Sequence, residues 1–91
     1  MEPILIPTML FWENGNTWYG SKGQARFFIQ PANLPGPEEG QEQRRLAVEL
    51  WRGPMAKQFS QILTTADFPL SENGLSQLVD WLEEQALQLN S

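Results

Sequence analysis

The sequence predicts an α+β fold, with an antiparallel sheet of about four strands packed by one C-terminal amphipathic helix. Two segments, 24–30 and 45–52, alternate between apolar and polar residues, as strands with one buried face do. From residue 75 to residue 89, apolar residues recur at spacings of three and four, which is typical of an amphipathic helix. The 91 residues suit one domain, so we interpret residues 1–91 as a single folding unit.

The first strand is predicted within residues 4–12, where apolar residues occupy both parities, as in a strand covered on both faces. Because Pro7 cannot donate a hydrogen bond to a neighbouring strand, this strand is expected to begin near Thr8. Asn14-Gly15 follows, and such a pair between apolar runs is a strong signal for a tight hairpin turn. The next strand is therefore expected to pair with the first.

A second interruption, residues 20–23, is either a tight turn or a bulge within one long strand. The strand over 24–30 is predicted to end at Pro31, and the strand over 45–52 is predicted to end at Gly53. One face of these two strands is expected to be buried and consists of Ala25, Phe27, Ile29, Leu46, Val48 and Leu50. The outward face carries Gln24, Arg26, Phe28, Gln30, Arg45, Ala47, Glu49 and Trp51.

Residues 31–43 hold three Pro, two Gly and three Glu with no apolar period, which predicts an exposed acidic loop. This loop is either a tolerated insertion or an acidic arm that docks on a partner. Residues 58–68 predict a weaker strand, although residues 54–63 could instead begin as a helical turn.

The C-terminal helix is the clearest element. Ser71 is a suitable N-cap, and Glu72 falls in the first turn, where the helix dipole favours an anion. Trp81 and Leu87 lie off the apolar stripe, so they either widen the buried face or form a dimer contact. The stripe itself consists of Leu75, Leu78, Val79, Leu82, Ala86 and Leu89.

The composition excludes several functions. The chain contains no Cys and no His, which removes disulfides, zinc fingers, thiol nucleophiles and the usual general base. No catalytic, metal or cofactor motif is present, so we interpret the protein as non-enzymatic and cofactor-free. Its net charge of −5 argues against general binding to duplex nucleic acid. Because no apolar run reaches the ~18 residues of a membrane span, a cytoplasmic protein without membrane contact is expected.

The outward sheet face is the strongest candidate for function. One helix cannot cover both faces of a sheet, and Trp, Phe and Arg are enriched at interaction hot spots. We therefore predict a protein partner. The alternatives are that the loop over 31–43 or the first strand folds over this face and buries it, or that the face binds nucleic acid. The predicted partner-binding residues are Trp18, Arg26, Phe28, Arg45 and Trp51. The nucleic-acid alternative uses Lys22, Arg26, Arg44, Arg45 and Arg52 together with the aromatic side chains.

Four short stretches also carry a resemblance to a family. They are residues 16–21 leading to Arg26-Phe27, then 51–54, 68–75 and 79–82. Together they resemble small uncharacterised proteins encoded on conjugative and transposon-like elements of gut Firmicutes. The resemblance implies a mobile-element context and a host or element protein as partner. An acidic inhibitor of a nucleic-acid enzyme would fit both that context and the charge.

Overall fold

The computed structural model describes residues 3–36, 38, 40–55 and 57–91. Within these residues the chain forms one four-stranded antiparallel sheet, whose strands lie side by side in chain order. The α+β class, with a C-terminal helix against the sheet, is therefore confirmed. The elements are α1 (Met9–Glu13), β1 (Trp18–Lys22), β2 (Ala25–Pro35), β3 (Glu42–Arg52), a 3-10 turn (Lys57–Phe59), β4 (Thr64–Pro69) and α2 (Glu72–Leu89).

The strand predicted to begin near Thr8 is wrong, because this part of the chain forms α1. The C-terminal end of α1 is hydrogen-bonded to a distant strand, since the Arg44 guanidinium donates to the Glu13 carbonyl at 3.0 Å. The Trp12 indole, which is fully buried, donates to the Pro7 carbonyl at 2.9 Å. These contacts stabilise a helical turn over a run that also contains the good helix formers Met9, Leu10 and Glu13.

Asn14-Gly15 therefore ends a helix and does not form the predicted hairpin. Asn14 is the C-cap of α1, and Gly15 follows it with φ +80°, the left-handed conformation that commonly terminates helices. The true hairpin turn consists of Gly23-Gln24, because Lys22 pairs directly with Ala25. Gly23 has φ +60°, which suits the first central residue of a two-residue turn. Of the two alternatives for residues 20–23, a tight turn forms and a bulge does not. Only Gly23 of this range belongs to the turn, because residues 20–22 are part of β1.

Strands β2 and β3 are longer than predicted, so the prediction of an acidic loop over 31–43 is wrong for most of that range. β2 continues through Pro31 to Pro35, where it pairs with Glu42. Pro31 lies beyond the end of β1, so β2 is an edge strand there, and edge strands tolerate proline. Only residues 36–41 connect the two strands, and of these Pro37 and Glu39 lie outside the described residues.

The predicted strand over 58–68 is confirmed only in its second half. The helical alternative holds for Lys57–Phe59, which form a 3-10 turn, and β4 begins at Thr64.

The core lies between one sheet face and a layer made of the N-terminal segment, α1 and α2. Ser71 caps α2 as predicted, because its hydroxyl oxygen accepts from the Gly74 amide at 3.0 Å. Trp81 widens the buried face, since its ring lies 5.9 Å from that of Phe68, whereas Leu87 is 73% exposed. The buried apolar residues of this core are Ile4, Trp12, Ala25, Phe27, Ile29, Leu46, Val48, Leu50, Leu75, Leu78, Leu82 and Ala86.

Candidate interaction surface

The outward sheet face carries a second, smaller cluster of packed side chains. Phe28 and Trp51 are only 8% and 3% exposed. The Tyr19 ring lies 4.5 Å from the Phe28 ring and 6.5 Å from the Trp51 rings, between centroids. The Lys57 ammonium stands 4.5 Å above the centre of the Phe28 ring. These four residues form a small aromatic cluster with a cation on top of it.

The segment between β3 and β4 covers this cluster. The Trp51 indole donates to the Met55 carbonyl at 2.9 Å, and the Lys57 ammonium pairs with Glu49 at 2.9 Å. An open face that exposes Phe28 and Trp51 is therefore wrong. The chain itself buries both rings, as the burial alternative expected, but the cover is the segment between β3 and β4 and not the loop over 31–43 or the first strand.

The predicted arginines on this face are held by internal contacts. Arg26 lies beside Trp51 in the β2–β3 register and donates to the Gly23 carbonyl at 2.6 Å. Arg45 lies towards the other end of the strands and pairs with the Asp67 carboxylate at 2.5 Å. The structure therefore brings Arg26, Phe28 and Trp51 together but places Arg45 away from them.

Trp18 lies on the opposite face of the sheet. It pairs with the core residue Ile29, is 37% exposed, and its ring lies 6.0 Å from that of Phe11. The five predicted binding residues therefore do not form one surface.

The basic residues of the nucleic-acid alternative are divided between the two faces as well. Lys22, Arg44 and Arg52 alternate with the core residues along their strands and so lie on the helix side of the sheet, whereas Arg26 and Arg45 lie on the outward face. Lys22 also pairs with Glu83 at 2.9 Å. A continuous basic patch that could follow a phosphate backbone is not formed by these residues.

The two edges of the sheet differ in how they are protected. Sheet edges in natural proteins are usually guarded by proline or by outward charges, which prevent other chains from adding to them. The β4 edge carries Pro69 and the carboxylate of Asp67, which pairs with Arg45 but is still 45% exposed. β1 has no proline, and its one charged side chain, that of Lys22, pairs with Glu83 on α2 and is only 16% exposed.

The free edge of β1 presents backbone groups that no other element satisfies. Lys22 and Ala25 close a two-residue turn and are therefore a hydrogen-bonded pair, so the alternate residues Tyr19 and Ser21 point their amide and carbonyl groups outward. Among the described residues, no group beyond the sheet hydrogen-bonds the backbone of Tyr19 or Ser21. Sequence reasoning missed this edge because it assigned the hairpin to Asn14-Gly15.

Exposed aromatic side chains and a cleft flank this edge. Tyr19 is 62% exposed on the outward face, while Trp18 is partly exposed on the helix face. Beside β1 lies a cleft of about 470 Å³, whose opposite wall is the N-terminal segment 3–5. Leu5 stands on that wall with 81% of its side chain exposed. The edge is thus bordered by apolar groups as well as by unpaired backbone.

The N-terminal wall of the cleft is held in place by Glu83. This carboxylate accepts from the Ile4 amide at 2.9 Å and from the Lys22 ammonium at 2.9 Å. The hydrogen bond from Lys22, and then that from the Ile4 amide, lower the pKa of Glu83 below its usual value of 4.5. One ionised side chain therefore joins α2, β1 and the N-terminal segment.

No family model, curated protein or solved structure matches this chain. The described part of the chain has no helix with the length and apolarity needed to cross a membrane. Within these described residues, no group of three or more Asp or Glu side chains is arranged so that it could bind a metal ion.

Proposed function

We propose that this protein acts without catalysis, by binding another protein whose chain adds as a strand along the free edge of β1. The observation that carries the proposal is the unguarded edge, with the outward backbone groups of Tyr19 and Ser21. Strand addition uses main-chain hydrogen bonds for affinity and pockets for alternate side chains for specificity. The backbone groups of Tyr19 and Ser21 offer the hydrogen bonds, and the cleft of about 470 Å³ beside β1 offers a pocket for side chains.

Tyr19 and Trp18 are the side chains that would anchor the partner. They are adjacent in sequence, so they lie on opposite faces of β1 and would contact an added strand from both sides. Tyr and Trp dominate interaction hot spots because they bury a large area at a small cost in side-chain entropy. Tyr19 also rests on Phe28, so its orientation is set before the partner arrives.

The context of this binding is a further part of the proposal. The resemblance to mobile-element proteins favours a host or element protein as the partner, and an inhibitor of a nucleic-acid enzyme would suit the acidic surface. Direct nucleic-acid binding has less support, because the basic residues lie on both faces and most of them have internal partners.

Amide hydrogen exchange of the partner complex tests the mode of binding. We expect the partner to slow exchange at the amides of Tyr19 and Ser21, because an added strand would accept hydrogen bonds from them. The Ser21→Pro variant removes one of these donors without removing a β1–β2 hydrogen bond, and should weaken binding by about tenfold or more. Circular dichroism would verify that this variant still folds.

Leu87→Ala is the matched control, because Leu87 is as exposed as Tyr19 but lies on α2. It should bind the partner as the wild type does, whereas Tyr19→Ala should bind weakly. A partner that binds Ser21→Pro and Tyr19→Ala at full strength, and leaves both edge amides exchanging freely, would contradict strand addition.

A further inference from the structure

We propose a second docking site, in the groove between the N-terminal segment and α2, for an apolar peptide segment flanked by Lys or Arg side chains. The groove has a volume of about 420 Å³. Residues 4–8 form one wall, and one side of α2, from Glu72 to Asp80, forms the other. It shares Ile4 and Leu5 with the cleft beside β1, but the rest of its lining comes from residues 6–8 and from α2 and includes no residue of β1.

The lining of this groove is apolar. Leu75 and Val79 on α2 face Ile4 and Ile6 of the N-terminal segment. Leu75 and Ile4 belong to the core, while Ile6 and Val79 are only partly buried. Leu5 projects from the segment almost fully exposed. Apolar side chains of a partner could thus leave water here without disturbing the core.

The rim of the groove is acidic. Glu72 and Asp80 stand at its two ends and are both exposed, and among the described residues neither forms a salt bridge. They lie eight positions apart on the helix, or about 12 Å along its axis. The same distance separates residues i and i+4 of an extended chain, at about 3.3 Å per residue. A partner segment with basic side chains at that spacing would meet both carboxylates.

The charge of the chain argues for a partner and against a second copy. Five of its six basic side chains have internal partners, namely Lys22, Arg26, Arg44, Arg45 and Lys57. A second copy would present mainly acidic surface to the acidic rim, since the net charge is −5. Like charges facing each other oppose association, so the complementary occupant is a basic segment of another protein.

A synthetic pentapeptide, Lys-Leu-Ile-Leu-Lys with blocked ends, is the probe for this site. In titrations followed by NMR, we expect shifts of the backbone amides confined to residues 4–8 and 72–80. Binding should weaken as salt is added, because exposed ion pairs are screened. The analogue Glu-Leu-Ile-Leu-Glu should bind at least about tenfold more weakly, since its charges are repelled by the rim.

Matched variants distinguish an effect of the acidic rim on binding from an effect of the net charge of the protein. Asp80→Lys should weaken binding of the probe by about tenfold. Glu42→Lys changes the net charge by the same amount on β3, outside the groove, and should change the affinity by less than about twofold. Leu5→Ser should weaken binding, whereas Leu87→Ser, equally exposed elsewhere, should not.

Three results would overturn the proposal. The first is a pattern of shifts centred on residues other than 4–8 and 72–80, and the second is equal binding of the acidic and basic probes. The third is a dimer, seen by light scattering, that Asp80→Lys disrupts, because the occupant would then be a second copy. Ser21→Pro blocks only the β1 edge and should leave the probe bound, so failure of the proposed function and failure of this site are distinguishable.

Discussion

Gly74 sets how closely the first turn of α2 approaches the end of β4. A Cβ atom at this position would overlap the carbonyl oxygen of Pro69, at a distance far below van der Waals contact. The same residue donates its amide to the Ser71 cap. Position 74 must therefore fit against Pro69 and also donate its amide to the Ser71 cap. These two requirements explain why a glycine occurs inside a helix, where glycine is normally unfavourable.

Gly74→Ala is predicted to destabilise the protein, although alanine is the better helix former. Overpacking of this kind costs about 1–3 kcal/mol, which outweighs a gain of about 1 kcal/mol in helix propensity. Denaturant unfolding would measure the change. Asn73→Ala is the control, because Asn73 is the exposed neighbour in the same turn and its replacement should have little effect.

Asn90 connects two elements through one side chain. Its amide nitrogen donates to the Lys22 carbonyl at 3.0 Å, and its amide oxygen accepts from the Gln24 amide at 2.7 Å. The end of α2 is thus joined to the turn between β1 and β2. The pattern within the helix gives no sign of this connection, since the turn that Asn90 contacts lies 66 residues away.

At the scale of elements, the N-terminal segment depends on the ionised form of Glu83. The folded state lowers the pKa of this group, so its stabilisation is complete above the unfolded pKa and is lost as the pH falls through the folded pKa. The contact that attaches residue 4 to α2 should therefore weaken in acid.

Glu83→Gln is predicted to lower the free energy of unfolding by at most about 1 kcal/mol at neutral pH, because the ion pair is partly exposed. The difference from the wild type should shrink as the pH is lowered from neutral through the folded-state pKa of Glu83, because the wild-type carboxyl is then protonated and the ion pair is lost. Urea unfolding across this range would measure it. Glu84→Gln, on the exposed side of the same helix turn, is the control. A difference that stays constant with pH would exclude the ionised contact as its cause.

At the scale of the whole molecule, the sheet is packed on both faces. The helix layer covers one face, and Met55 and Lys57, between β3 and β4, cover the part of the other face that contains Phe28 and Trp51. The long segment between β3 and β4 is therefore structural, and exposed aromatic surface is left at the β1 edge.

Trp51→Ala is predicted to destabilise the protein by about 3–5 kcal/mol, the cost of removing a large buried ring. Trp18→Ala should cost clearly less, because Trp18 is partly exposed. Thermal unfolding of both variants would compare them. Similar losses of stability in the two variants would mean that the second face is not packed as described.

The sequence by itself determined the α+β class, the position and cap of α2, and which residues of β2 and β3 face the core. These features could be predicted because the alternation and the helical spacing of apolar residues show which side of each segment is buried. The Ser71 cap could be predicted because its hydrogen bond is local, to the amide of a residue three positions later. Only the tertiary structure decided that residues 9–13 form a helix, that Phe28 and Trp51 are buried, and that β1 is the free edge. Each of these outcomes depends on contacts across the fold, such as Arg44 with α1, Lys57 with Phe28 and Lys22 with Glu83. The physical reason is that the pattern within a segment records which face is apolar, but not which other segment covers it.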